Sequence, residues 1–248
     1  MAASASHDNA PLIVKLESFL ALSAEERGAL ETLPMQVQAL TADQDIVRQG
    51  DRPVRSCLIL SGYAATYQTT GAGKRQIQAF HMPGDIPDLQ SLHLKVLDNS
   101  LATITPCRVG FITHDVLLDL CRRHPRLNDA FWRETLVDGA IFRTWVTNNG
   151  QREALGRLAH ILCEWITRLR AVGLADGLTC ELPMTQAELA DALGVSTVHV
   201  NRVLQELRAK DLVTLKGSVL TVLDWEALKR IADFDPAYLH LDGDRAAF

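Results

Sequence analysis

Residues 183–213 read PMTQAELADALGVSTVHVNRVLQELRAKDLV, and their pattern is the strongest structural signal in the second half of the chain. Thr185 stands three residues before Glu188, which is the spacing of a capping box at a helix start. An apolar stripe follows and ends at Gly194, where a left-handed backbone costs little and the chain can turn sharply. Ser196 is suited to cap a second helix. The stretch therefore predicts two short helices joined by a glycine turn, a helix-turn-helix.

The second helix of such a motif enters the major groove of DNA, and its early outward residues meet the base edges. Helical spacing places Thr197, Val198, Asn201 and Arg202 on the outward face, with His199 near its edge. Arg202 suits guanine, and Asn201 suits adenine or a phosphate. Thr197 or Val198 suits a thymine methyl group. For any single residue, a solvated helix face is the alternative interpretation.

Further contacts with the DNA backbone are predicted around this helix. Ser196 and Thr185 stand at the two helix starts, where phosphate oxygens bind well. Residues 212–222 predict a two-stranded hairpin, the wing, with Lys216 at its tip as a candidate phosphate contact. A lone lysine is also an ordinary surface residue. A short closing helix is expected over residues 225–232, and the acidic residues 233–244 are expected to pack away from DNA.

The first half of the chain has a different sequence pattern. Two short helices are predicted over residues 16–22 and 24–33, the second capped by Ser23. From Gln36 onward, short β-prone runs alternate with glycine-containing turns, which is typical of an antiparallel sandwich, roll or barrel. The runs cover residues 45–48, 56–60, 63–67, 75–80 and 107–112.

A long amphipathic helix is predicted from Pro125 to about residue 148, followed by a break at residues 148–150 and another helix over 152–172. One broad apolar side of the long helix needs a surface to cover it. That surface is either the core of the same subunit or a second subunit, and we favour a dimer-forming helix. The side consists of Leu127, Ala130, Phe131, Val137, Ala140, Ile141 and Trp145.

Bulk composition excludes several classes of protein. The chain has 248 residues, 47% of them hydrophobic, and a formal net charge of -5, which argues against non-specific coating of nucleic acid. Its five cysteines are scattered, so buried reduced thiols are expected rather than disulfides or a metal cluster. No segment has the roughly 20 apolar residues of a membrane span, and no secretory signal opens the chain. We therefore expect a cytoplasmic protein with no membrane association.

The recognition segment, residues 194–204, resembles that of the Crp/Fnr family of bacterial transcription regulators. The glycines Gly50, Gly62 and Gly84, the long helix and the Gly156-Arg157-Leu-Ala segment follow the same order along the chain. The resemblance implies an α+β protein with an N-terminal cyclic-nucleotide-binding-like antiparallel β-roll, a long dimerisation helix and a C-terminal winged helix-turn-helix. It also implies a homodimer that binds double-stranded DNA at an inverted-repeat operator and contacts RNA polymerase.

The implied domains are an effector-type domain over residues 12–124, a dimerisation helix over 125–149 and a DNA-binding domain over 150–248.

Departures from the family pattern indicate which effectors the first domain does not bind. Cyclic-AMP-binding members carry a glutamate for the ribose and an arginine for the phosphate; here Leu89 or its neighbours and Asn99 stand at those places. A cyclic phosphate would lack its charge partner, so cyclic AMP is not expected.

Other effector chemistries are not supported by the sequence. Oxygen-sensing members use an N-terminal cysteine cluster, and this chain has no cysteine before Cys57. His81 and His93 flank the altered segment around Leu89. Isolated histidines, however, more often form hydrogen bonds than bind haem. We therefore predict no cofactor and leave the small-molecule effector unknown. The possible effector pocket consists of Asp88, Leu89, Gln90, Ser91, Asn99 and Ser100.

Two other functions remain open at this stage. One is a cyclic-nucleotide-type ligand-binding module that acts through protein partners. The other is an enzyme, which is disfavoured because no catalytic motif is present.

Val198 replaces the glutamate that better-known members use to read cytosine. A palindromic operator is therefore predicted, but not the half-site sequence of those members.

Overall fold

The computed structural model describes residues 8–241, which divide into two compact units. The first comprises the described residues up to Gly73 together with Gln78–Asp138, and the second comprises Lys74–Ile77 and the described residues from Gly139 onward. Within residues 8–241, no helix is long and apolar enough to cross a membrane.

Antiparallel sheets dominate the first unit. One sheet has the order β1-β7-β3, and the other has the order β2-β6-β4-β5. The five predicted runs all form strands; the β1 and β6 strands were not predicted, because each is short and lacks flanking glycines. The strands are β1 Gln36–Leu40, β2 Asp45–Val47, β3 Arg55–Ser61, β4 Ala64–Thr69, β5 Arg75–His81, β6 Ser100–Thr103 and β7 Cys107–Thr113.

Two short helices precede the strands and close one side of this core. Helix α1 spans Ala10–Glu17 and α2 spans Ala24–Glu31. The predicted position of the first helix was wrong, since its start is set by Pro11 in the first turn and residues 19–22 lie outside it. Ser23 and Glu26 form a capping box at α2, as the sequence indicated.

Gly84 shows how closely the first helix packs on the strands. Its backbone has a φ of +97°, and a Cβ there would lie 2.5 Å from the Pro11 carbonyl oxygen. A side chain at this position would therefore force the turn away from α1. The apolar core next to it includes Leu12, Leu16 and Leu89.

After α3 (His114–Arg123), the long helix α4 spans Pro125–Gln151 and contributes to both units. The break predicted at residues 148–150 was wrong: α4 continues through Gly150, since Asn148 is buried and donates to the Arg157 carbonyl oxygen at 3.2 Å. On the predicted apolar side, only Val137 is not fully buried; the other six residues pack within the chain itself.

The interpretation of that side as a subunit contact was therefore wrong, because the chain covers it alone. A different face of α4 stays exposed. Its large apolar residues are Trp132, Leu136, Phe142 and Val146.

The second unit is built around the buried helix α5 (Ala154–Ala171). A four-stranded sheet of order β10-β11-β9-β8 lies beside α6 (Gln186–Leu193), α7 (Thr197–Ala209) and α8 (Trp225–Ala232). The wing hairpin consists of β10 Val213–Lys216 and β11 Val219–Val222, as predicted. The short strands β8 Ala175–Asp176 and β9 Thr179–Glu181 extend it and were not predicted.

Beyond α8, the chain packs back onto α5. Phe234 and Leu239 are buried, and Tyr238 donates to a Glu164 carboxylate oxygen at 2.7 Å. Trp145 donates to the same oxygen at 3.0 Å, and the Tyr238 hydroxyl lies 3.1 Å from His160 Nε2. The segment to residue 241 is thus part of the domain core rather than an acidic tail; residues 242–244 of the predicted tail lie outside the described residues.

Candidate DNA-binding interface

The first helix of the motif is fixed at both ends. Thr185 and Glu188 form the predicted capping box, with the Glu188 N–H donating to Thr185 Oγ1 at 3.2 Å. At the other end, Gly194 adopts a φ of +66°, and the Val195 N–H donates to the Ala190 carbonyl at 3.1 Å. The left-handed glycine turns the chain into the second helix, as the sequence predicted.

The carbonyls at the end of α6 are satisfied by polar side chains of the same unit. Asn149 donates to the Ala192 carbonyl at 2.9 Å, and Arg157 donates to the Leu193 carbonyl at 3.1 Å. These two roles were not predicted from the sequence. Arg157 belongs to the Gly156-Arg157 segment that was noted only as a family feature, and Gly156 lets α5 approach the Ile231 carbonyl closely.

Helix α7 has one buried and one exposed face. Ser196 caps it, with its hydroxyl oxygen accepting from the His199 N–H at 3.2 Å. The inward face packs in the domain core and consists of Val200, Val203, Leu204 and Leu207. On the other side Val198 is 81% exposed, and Thr197 and Arg202 are exposed as well. Because a buried face anchors the helix, the opposite face is available to a groove of DNA.

The predicted contact residues lie on three elements. Thr197, Val198, His199, Asn201 and Arg202 share α7, with Ser196 at its cap. Thr185 begins α6, and Lys216 lies exposed at the wing, next to the turn at Gly217.

Two of these side chains have partners within the motif. The Asn201 side chain donates to Gln186 Oε1 at 3.2 Å, so it links the two helices. The Arg202 Nη2 lies 3.1 Å from His199 Nε2. Gln186 was not predicted as part of the site; its position one residue after the Thr185 cap is the signal that places it beside the second helix.

The six residues of the possible effector pocket fall into two groups. Residues 88–91 pack against β3. The Cys57 N–H donates to Asp88 Oδ1 at 2.9 Å. Ser91 Oγ lies 3.2 Å from Ser56 Oγ and 3.0 Å from His114 Nε2. Leu89 belongs to an apolar core cluster. Gln90 is half-buried.

The second group lies before and at the start of β6. Asn99 is half-buried, and Ser100 Oγ accepts from the Gln49 N–H at 3.0 Å. The pocket itself stays a prediction.

Asp88 is the most unusual ionisable group of the first set. It is buried, and its second carboxylate oxygen has no hydrogen-bond partner among the described residues. Burial raises the pKa of Asp88 to about 7, against the opposing effect of the Cys57 N–H bond.

Metal-binding chemistry is not apparent in the described part of the chain, where no group of three His, Cys, Asp or Glu side chains could hold an ion. All five cysteines are free thiols; Cys121 is half-buried and the other four are buried. Burial raises the pKa of Cys57 and Cys163, so these thiols stay protonated and unreactive.

A winged helix-turn-helix with an exposed recognition helix, preceded by an antiparallel β domain, defines a DNA-binding regulator with an effector-type domain. Family models agree with this class. The model described as the cyclic nucleotide-binding domain matches residues 37–124, and the Crp-like helix-turn-helix domain matches residues 156–231.

Known proteins resemble the chain over most of its length. The fumarate and nitrate reduction regulatory protein of Vibrio cholerae is 23% identical over 211 residues, covering 85% of this chain and 84% of the relative. The transcriptional activator protein FnrA of Stutzerimonas stutzeri is 26% identical over 211 residues, covering 83% and 84%. The structure of FixK2 from Bradyrhizobium japonicum matches with a TM-score of 0.73 at 21% identity, covering 80% of this chain and 98% of that one.

The chain therefore belongs to the Crp/Fnr family of transcription regulators, as its sequence indicated. The predicted fold class is confirmed by the two family models and by the shared fold of FixK2.

Proposed function

We propose that the protein is a cytoplasmic homodimer that binds an inverted-repeat operator through α7 and regulates transcription in contact with RNA polymerase, with no catalytic role. The observation that carries this proposal is the exposed face of α7, on which Val198 and Arg202 project from a helix whose other face is buried. A helix that is anchored by one face and exposed on the other has the geometry with which a recognition helix enters a groove of DNA.

Arg202 supplies the base reading in this proposal. Its exposed guanidinium carries several donors in a planar fork, which matches the O6 and N7 acceptors of guanine. Val198, four residues earlier on the same face, offers only an apolar surface and suits a thymine methyl. Thr197 is the second residue for apolar or hydroxyl contact.

Phosphate contacts then fix the register of the helix on DNA. The Ser196 oxygen accepts from the His199 N–H, which leaves the hydroxyl proton for a phosphate oxygen. Thr185 contributes through the start of α6, because its hydroxyl is already bonded to Glu188. Lys216 adds a charge at the wing.

The exposed face of α4 is the proposed contact with the second subunit. Trp132, Leu136, Phe142 and Val146 fall within about one third of the helix circumference at 100° per residue. A two-fold partner would bury the same stripe on both copies, and a two-fold dimer matches an inverted repeat. This stripe replaces the apolar side of α4 that was predicted from the sequence as the dimer contact.

The effector domain acts without cyclic AMP or an iron–sulfur cluster in this proposal. Leu89 is buried among apolar residues where the family glutamate is expected, and Asn99 cannot neutralise a phosphate. The region of Asp88–Ser91 and Asn99–Ser100 remains the proposed place for an unidentified small-molecule effector.

Selection of bound sequences from a random duplex library, with purified protein at defined salt, tests the function. We expect a palindrome whose half-site centres lie about one helical turn apart. Arg202→Ala should cost roughly 1–3 kcal/mol in operator binding and relax one base position. Absence of any enriched sequence in the presence and absence of cell metabolites would contradict operator binding and favour a module that acts through protein partners.

The dimer is tested separately by sedimentation. Leu136→Glu places a charge in the proposed stripe and should shift the protein towards monomer. Val54→Glu is the matched control, since Val54 is 75% exposed on the β domain and outside the stripe. A monomeric wild type, or equal effects of the two substitutions, would remove the stripe as the interface.

A further inference from the structure

His199 lies within hydrogen-bond distance of the candidate base-reading side chain, Arg202. Its Nε2 lies 3.1 Å from Nη2 of Arg202, three residues later on the same helix. A guanidinium has no acceptor, so the arginine donates and His199 Nε2 accepts. This hydrogen bond requires the tautomer that carries its proton on Nδ1.

Within the part of the chain that the structure describes, the Arg202 guanidinium has no ion pair and no hydrogen bond besides the one with His199. Val198, one turn before it on the same face, has no hydrogen-bonding group. Asn201 is engaged by Gln186 at 3.2 Å, on the side towards the first helix. Ser196 holds the backbone N–H of His199 at 3.2 Å, which fixes the start of the helix under the imidazole.

The direction of this contact matters for reading DNA. Helical side chains lean towards the helix N-terminus, and the N-terminal part of a recognition helix is the part that contacts base edges. A guanidinium held by His199 is therefore tethered towards the bases, while its remaining donors stay available. An untethered arginine would spread over several rotamers and lose part of its preference for one base.

We infer that His199 is a specificity-determining positioning residue: it fixes Arg202 for one guanine of each half-site and does not itself contact a base or a phosphate. This inference rests on the proposed function, since it assigns how the operator is discriminated rather than whether it is bound. The inference separates residues that contact DNA from a residue that positions one of them, which the exposure of the helix face alone does not do.

The test compares His199→Ala, His199→Gln, Arg202→Ala and the double variant of His199→Ala with Arg202→Ala. The probes are the duplex selected by the wild type, the same duplex altered at single base pairs, and an unrelated duplex of equal length at equal salt. Gln205→Ala is the matched control, because Gln205 is exposed on the same helix one turn beyond Arg202. Circular dichroism verifies that each variant keeps its helices.

We expect His199→Ala to reduce discrimination at the base pair that Arg202→Ala also relaxes, by roughly 2- to 10-fold. Affinity for the unrelated duplex should not change. Glutamine offers an acceptor oxygen near the position of Nε2, so His199→Gln should recover most of the discrimination. In the double variant, loss of His199 should add nothing to loss of Arg202.

Three results would overturn the inference. Equal weakening on every duplex would make His199 a phosphate contact, a change at a different base pair would make it a direct base reader, and additive losses in the double variant would uncouple it from Arg202. These results are distinct from failure of the proposed function, in which the wild type selects no sequence at all. If the wild type selects a palindrome and His199→Ala keeps its full preference, only the inference fails.

Discussion

The recognition helix and the cassette, residues 84–100, both depart from the family pattern, but one departure is exposed and the other is buried. In α7, Arg202 is exposed, and the departure at Val198 lies on the same exposed face. In the cassette, Leu89 lies in an apolar core cluster and Asn99 carries no charge, so neither place offers a charged partner for a cyclic nucleotide. The departure at Val198 therefore lies on an exposed surface, whereas the departure at Leu89 lies inside the domain core.

The difference follows from what each surface contacts. An exposed helix face is limited only by its external partner, so side chains there change without cost to the fold. The cassette packs on β3 and α1, so a residue that stops binding a ligand must satisfy its neighbours instead. Leu89 and Asp88 are both buried as a result, and the following predictions test that contrast.

The largest effect is expected when the cassette is converted back towards nucleotide chemistry. Leu89→Glu would bury a carboxylate among Leu12, Leu16 and Ile86, and should destabilise the first unit by about 3 kcal/mol or more. Hydrogen exchange of β3 peptides measures this. Leu89→Met, which preserves volume and polarity, should cost less than about 1.5 kcal/mol. A stable Leu89→Glu variant that gains affinity for cyclic AMP would show that the cassette is still a nucleotide pocket.

Next in size is a pH dependence set by Asp88. Its pKa is about 7 in the folded protein and near 4 when unfolded, so between these values the folded state binds more protons. Stability of the first unit should therefore fall as pH rises from about 4 to 7. Asp88→Asn removes this titration but keeps an acceptor for the Cys57 N–H, so we expect it to reduce the loss between pH 5 and 8 by about 2 kcal/mol. An unchanged slope in the variant would assign the dependence to another group.

The sequence predicted the DNA-binding region better than the effector-type region. Capping residues, a left-handed glycine and a stripe of buried aliphatic residues act over a few positions, so α6, α7 and the wing follow from local rules. The strands β1 and β6 gave no such signal, because their pairing with β7 and with β2 and β4 is set by partners far along the chain.

The long helix α4 was predicted correctly, but its apolar side was wrongly assigned to the contact with a second subunit. Its most regular apolar side, with Phe131 and Trp145, is covered within the chain, while Trp132 and Val146 remain exposed. Periodicity identifies a face that must be buried but does not tell which partner buries it. The His199–Arg202 pair was likewise invisible in sequence, because a three-residue spacing permits the contact without specifying the rotamers that make it.

A smaller effect is expected in the core of the second unit. Tyr238→Phe removes one of the hydrogen bonds to buried Glu164 and the contact with His160, which should cost about 1–2 kcal/mol. Tyr67→Phe is the matched control in the first unit: Tyr67 donates to Asp45 at 2.6 Å, but Asp45 is partly exposed and can bind water instead. Urea unfolding followed by unit-specific hydrogen exchange compares them. Equal losses would mean that burial of the acceptor does not decide the cost.

The smallest effect separates the two regions by charge. Lys216→Ala at the wing should lower the slope of log affinity against log salt by about 1, because one phosphate contact and its released counterion are lost. Sequence preference should not change, since a phosphate contact carries no base information. Lys95→Ala removes another exposed lysine, from the cassette, and should leave the slope as it is. A change of slope in both variants would mean that DNA wraps far enough to meet the effector-type domain, and the cassette would then share the nucleic-acid interface with the helix.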